Sequence, residues 1–163
     1  MTEIRKTPLF RKYEERTPKW AGAVVRKVEL AAPYFSELPE IGIGITESCV
    51  ANASPDDNII RFNPKYSAPT NVVVFHELTH LLQRGHGVPY GEESCTIFAM
   101  ARLPIELMDA NSLPYLGNFG CCQEMALQIC RDAVDMRANG HRQYIKWAKG
   151  QLNAPLHLRS CPR

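Results

Sequence analysis

The spacing of hydrophobic and polar positions changes period twice along the chain. From Thr17 to Leu38, Ala23, Val24, Val28, Leu30, Ala31 and Phe35 recur at helical spacing, which predicts an amphipathic helix closed by Pro39. Between Glu40 and Lys65 the pattern shortens to two β-like runs, "IGIGIT" and "NIIRFNP", separated by the turn-rich "NASPDDN"; a small sheet is predicted there. The helical period then returns. "SAPT" at 67–70 supplies capping hydroxyls and a first-turn proline, and a helix follows over 70–84, stopped by Gly85. A further helix over 91–103 ends at Pro104. After the turn-rich "DANSLPYLGNFG", a last long helix is expected over 121–147, with a break near Asn139–Gly140. This order of elements predicts an α+β fold.

At 163 residues the chain is expected to form a single domain over 1–163, with the first 16 residues as a basic arm. Hydrophobic residues make up 45% and charged residues 22%, and no apolar run reaches the ~18 residues that a membrane span needs. The N-terminus is basic but has no apolar core followed by a small-residue cleavage site, so a cytoplasmic location is expected. The net charge of +2 is unevenly placed: residues 1–20 carry six Lys/Arg against three acids, and 139–163 carry five against none. Basic ends suit nucleic acid or an acidic partner, although solvated termini are the plainer expectation. With no secretion signal the six cysteines are expected to be reduced thiols, mostly small buried hydrophobes, and with no CxxC pair a structural zinc knuckle is not expected.

The candidate chemistry lies in "VVVFHELTHLLQRGHG", Val72 to Gly87. On a helix, residues four apart share a face, so His76 and His80 present two imidazoles to one point. Glu77 sits between them, and its helical neighbours Val73, Val74, His80 and Leu81 include no fixed cation. A buried carboxylate without a partner costs several kcal/mol or takes up a proton. A Zn²⁺ ion on the two histidines would remove that cost. His-Glu-x-x-His is the signature of the zincins, in which the metal lowers the pKa of its water to about 7 and the glutamate accepts the proton. A solvent-facing amphipathic helix is the plain alternative, but Val72 to Leu82 holds no other charged residue and is apolar on nearly every face.

The third ligand has two candidates. His86 follows His76 by ten residues, the spacing of metzincins and of Spartan-like zincins, but Gln83 stands where metzincins have glycine. Glu92, opening the next helix, matches the gluzincin position, where an ExxxD pattern supplies both a ligand and a buttressing aspartate; here the fourth position after Glu92 is Thr96. Either residue can reach the metal, because Gly85 and Gly87 can turn the chain.

The stretch "PYGEESCTIFAMARLPIELMDANSLPYL", together with "CRDAVDMRANGHRQYIKW", resembles small HExxH proteins whose second helix reads GExxCD, followed by AR and a later PxYL. The resemblance runs from "IIRFNP" onward over about two thirds of the chain. It implies a gluzincin-like metallopeptidase fold, zinc on His76, His80 and Glu92, and Glu77 as general base; it names no substrate, and a peptide or protein is expected from the activity. Donors for an oxyanion are sought among His141, Arg142 and Tyr144 in "NGHRQYIKW" and at Tyr90. Two other readings use the same residues: a metal-binding scaffold without peptidase activity, and a Spartan-like protease that reaches DNA-bound proteins through the basic termini.

Overall fold

The computed structural model describes residues 2–154. Residues 3–16, expected as a basic arm, instead form a strand and a helix: β1 (Glu3–Lys6) and α1 (Pro8–Arg16). Local chemistry explains the difference. Thr7 caps α1 by accepting from the Phe10 amide, Pro8 occupies the first turn, and Phe10 is fully buried. The basic side chains of this segment are partly neutralised, Arg5 by Glu40 and Lys6 by Glu14.

The expected backing helix is α2 (Pro18–Ala31), continued by a 3₁₀ turn at Ala32–Tyr34. It buries Ala21, Val24, Val28 and Ala31, whereas Leu30, expected on the apolar face, is 46% exposed. Strands β2 (Glu40–Ile45), β3 (Ala51–Ser54) and β4 (Ile59–Phe62) join β1 in one sheet of order β1-β2-β4-β3. The β1-β2 and β2-β4 pairs are parallel, and β3 runs antiparallel to β4 as the edge strand. The Gly-Ile alternation of β2 has a steric reason. Ile41, Ile43 and Ile45 enter the core, while a Cβ at Gly42 or Gly44 would meet Ile59 Cγ1 at 2.7 Å or Arg61 Cγ at 2.9 Å. Part of "NASPDDN" is strand and not turn: Asn52 to Ser54 pair with β4, and the chain reverses at Pro55–Asn58.

Helix α3 (Asn71–Leu82) carries the His-Glu-x-x-His motif, and its residues are buried almost throughout. Thr70 caps it as expected, accepting from the Val73 amide. A second cap comes from far along the chain. Asp109 accepts from the amides of Asn71 and Val72 and pairs with Lys27 at 2.7 Å. Asp109→Ala is expected to destabilise the fold by about 1–2 kcal/mol, the usual cost of losing an N-terminal cap, measured as the shift in urea midpoint. An unchanged midpoint would mean that Thr70 alone holds the helix start.

Helix α4 (Glu92–Arg102) packs on α3. It leads through a 3₁₀ turn at Ile105–Leu107 into a short hairpin, β5 (Ser112–Leu113) and β6 (Gly117–Asn118). The last long helix is two: α5 (Gln123–Ala138) and α6 (Tyr144–Leu152), separated at Asn139–Gly140, where Gly140 has φ +86°. Among the cysteines, Cys95 and Cys130 are buried thiols as expected. Cys49 is exposed, and Cys122 is disulfide-bonded, contrary to the expectation of reduced thiols; its vicinal neighbour Cys121 is not its partner. Cys161 lies outside the described residues. Among those residues no helix is long and apolar enough to cross a membrane.

Candidate metal centre

Helix α3 places His76 and His80 one turn apart, with their ring centroids 4.6 Å from each other. The first turn of α4 delivers Glu92 to the same point. Three atoms converge: Nε2 of His76 and Nε2 of His80 are 3.1 Å apart, and Glu92 Oε2 lies 3.1 Å from the first and 3.0 Å from the second. Three ligands about 2.0–2.2 Å from one divalent ion stand at similar separations, so this donor set fits such an ion.

Cys95 is a further donor nearby, its Sγ within 4.8 Å of the histidine ligand atoms, so a His76–His80–Cys95 group could also hold a metal. Its thiol, however, donates to the His76 carbonyl, and burial raises its pKa, so it keeps its proton. Glu92 offers the other third donor, a carboxylate oxygen 3.1 and 3.0 Å from the two Nε2 atoms on a side chain that is 46% exposed.

The loop from α3 to α4 is shaped by Gly85, Gly87 and Gly91, all at positive φ. It is pinned by Gln83, whose amide nitrogen donates to the carbonyls of Pro89 and Gly91 at 2.7 and 3.1 Å. This path turns His86 away. His86 is exposed on the side of Glu37, whose carboxyl is held low first by Arg102 and in small part by His86. Helix α4 grips His76 at three points: Glu92 at Nε2, Cys95 at the carbonyl, and Thr96 Oγ1 at Nδ1, 3.0 Å away.

Glu77 lines the cleft beside these groups, 7% exposed, with its pKa pushed up to about 8 by burial first and by Glu92 second. Burial, with the neighbouring His80, pushes His76 down to about 4. In both groups burial disfavours the charged form, so Glu77 is held as a carboxyl and His76 as a neutral imidazole near neutral pH. The shifts carry a testable consequence. Glu77 is protonated in the folded state and ionised in the unfolded state between its ordinary 4.5 and about 8. The folded state then holds more protons, so this residue's contribution falls as pH rises through that window. Relative to a Glu77→Gln variant, metal-free protein is expected to lose on the order of a few kcal/mol between pH 5 and 8, read from thermal melts in chelator. Parallel pH profiles for the two proteins would refute it.

The cleft has a volume of about 230 Å³ and is walled by Ala51, Asn52, Ala53, Pro55 and Tyr115 besides the three motif residues and Glu92. A larger recess of about 740 Å³, between β1 and the end of α2, brings no ligand set together. Tyr115, at the tip of the β5-β6 hairpin, stacks on the His76 ring at 5.5 Å and 24°, yet is 62% exposed. Burial and the nearby Glu92 and Glu77 raise its phenol. No periodicity pointed to it; the signal available was the "PYLG" turn, in which Tyr115 adopts a positive φ.

The expected oxyanion donors are elsewhere. Tyr144 is buried between α6 and α4 with its hydroxyl on Ser94 Oγ at 2.9 Å, because its ring fills the core. His141, Arg142 and Tyr90 are exposed and do not line the cleft.

The edge strand β3 faces the cleft with unused backbone groups. Asn63 donates its amide to the Val50 carbonyl, which makes Val50 and Asn63 a hydrogen-bonded pair. By alternation Asn52 and Ser54 also turn toward β4, and the N–H and C=O of Ala51 and Ala53 turn outward. The Ala51 carbonyl accepts from the Cys49 thiol at 3.2 Å, leaving Ala53 as the fully open position. Compared with protein-family models, with curated proteins and with solved structures, the chain matches none.

Proposed function

We propose that this protein is a zinc-dependent peptidase of zincin-like, gluzincin-type architecture, with His76, His80 and Glu92 as metal ligands and Glu77 as general base. The observation that carries the reading is the mutual 3.0–3.1 Å approach of the two Nε2 atoms and the Glu92 oxygen, with a buried carboxylate alongside. Zinc, when bound, supplies Lewis acidity that makes water a nucleophile near neutral pH and polarises a carbonyl.

The chain's own residues supply the rest. Glu77 takes a proton from the attacking water and passes it to the leaving amine; as a base it must be ionised, which a cation on the adjacent ligands would favour. The outward N–H and C=O of Ala53 pair with an extended peptide, which would add to β3 as a further strand. This favours a main-chain amide as the substrate. Tyr115 stands over His76 at the mouth, where its phenol can donate to an oxygen that gains charge.

Metal analysis of the purified chain, paired with cleavage of an unfolded protein substrate, tests the reading. About one zinc per chain is expected, with cleavage lost on chelation and restored by zinc. Stoichiometric zinc without turnover on any unfolded substrate would convert the reading to a metal-binding scaffold. No metal after supplementation would end both.

A further inference from the structure

We propose that Thr96 and Gln83 are positioning residues that lock His76 and His80 in the Nδ1–H tautomer, so that two bare Nε2 lone pairs and a carboxylate face one another before any ion arrives. The cation this arrangement would receive rests on the metal reading above; the tautomers themselves do not.

The argument is a count of protons. Thr96 Oγ1 has one, and it lies 2.7 Å from the Pro114 carbonyl, which can only accept. The hydroxyl proton goes there, so Thr96 offers His76 Nδ1 a lone pair across 3.0 Å, and that nitrogen must be the donor. Gln83 leads to the same end. One of its amide atoms faces the carbonyls of both Pro89 and Gly91 and must therefore be the nitrogen. The other is the oxygen, which accepts from His80 Nδ1 at 2.7 Å. A neutral imidazole has one N–H, so in both rings Nε2 is unprotonated.

In the neutral rings the two Nε2 atoms then turn their lone pairs toward each other and toward Glu92 Oε2, at mutual distances of 3.0–3.1 Å. Such a group of lone pairs is unfavourable in a cleft by itself and becomes favourable around a cation. Thr96, where the gluzincin pattern has aspartate, performs the orienting task as a neutral relay to the β5-β6 hairpin. Gln83 combines two tasks, orienting His80 and tying down the loop that carries Glu92.

The test is nitrogen-15 NMR of the metal-free full chain in mildly alkaline solution, where each ring nitrogen reports its own protonation. Both rings are expected as Nδ1–H; an Nε2–H signature on either ring would overturn the proposal. Thr96→Val and Gln83→Leu are expected to shift only His76 or only His80 toward the other tautomer. Each should weaken zinc by about 10–100-fold in competition with a chelator of known affinity, with Thr96→Ser restoring the wild-type value. Unchanged tautomer and affinity in the Val and Leu variants would overturn it. Wild-type rings locked as stated in a protein that binds no zinc would support the positioning roles and overturn the peptidase reading, so the two fail separately.

Discussion

Glu77→Gln is expected to lower kcat/KM for peptide cleavage by about 10²–10⁴-fold, the range associated with loss of a positioned general base. Zinc content should not change, because the ligand atoms belong to His76, His80 and Glu92. Glutamine keeps the shape of the side chain and cannot take a proton from water. The variant also removes a carboxyl that burial holds near pKa 8, so the metal-free fold should be no weaker than wild type above neutral pH. Lost activity with lost zinc would place Glu77 among the ligands; retained activity would remove it from the chemistry.

Glu92→Ala is expected to abolish stoichiometric zinc, whereas His86→Ala should keep it. The geometry behind this contrast is direct: Glu92 Oε2 is 3.0–3.1 Å from both Nε2 atoms, and His86 is exposed on the Glu37 side. The loss should also appear as stability. A ligand present at a thousand times its Kd stabilises a fold by about 4.1 kcal/mol, which for a domain of this size raises Tm by on the order of 10 °C. Adding zinc should therefore raise the melting temperature of wild type and His86→Ala by that order and leave Glu92→Ala almost unmoved. Zinc retained in Glu92→Ala and lost in His86→Ala would transfer the third ligand to the loop.

Burial leaves Glu77 as a carboxyl and His76 as a neutral imidazole on a helix with almost no polar face. A divalent cation would favour the Glu77 carboxylate, and a neutral imidazole is the form that ligates a metal. The basic N-terminal segment is part of the fold, as β1 and α1, with Arg5 and Lys6 paired to Glu40 and Glu14.

What the sequence determined by itself was local. Helical spacing in α2, the Thr70 cap, the break at Asn139–Gly140 and the shared face of His76 and His80 follow from backbone geometry within a few residues. Two strands were legible from β-branched runs, but β3 was hidden, because "ANAS" has turn chemistry and becomes a strand only by pairing with β4. Tertiary structure decided the rest. Whether His86 or Glu92 meets the histidines depends on the path of a nine-residue connection, 83–91, with three glycines at positive φ, and such residues permit several directions that only packing of α4 on α3 selects. The approach of Thr96 and Tyr115 to His76, of Pro114 to Thr96, and of Asp109 to the start of α3 joins residues 18 to 39 positions apart. No periodicity encodes those distances, because they are set by how the helices and the β5-β6 hairpin bury their apolar faces against one another.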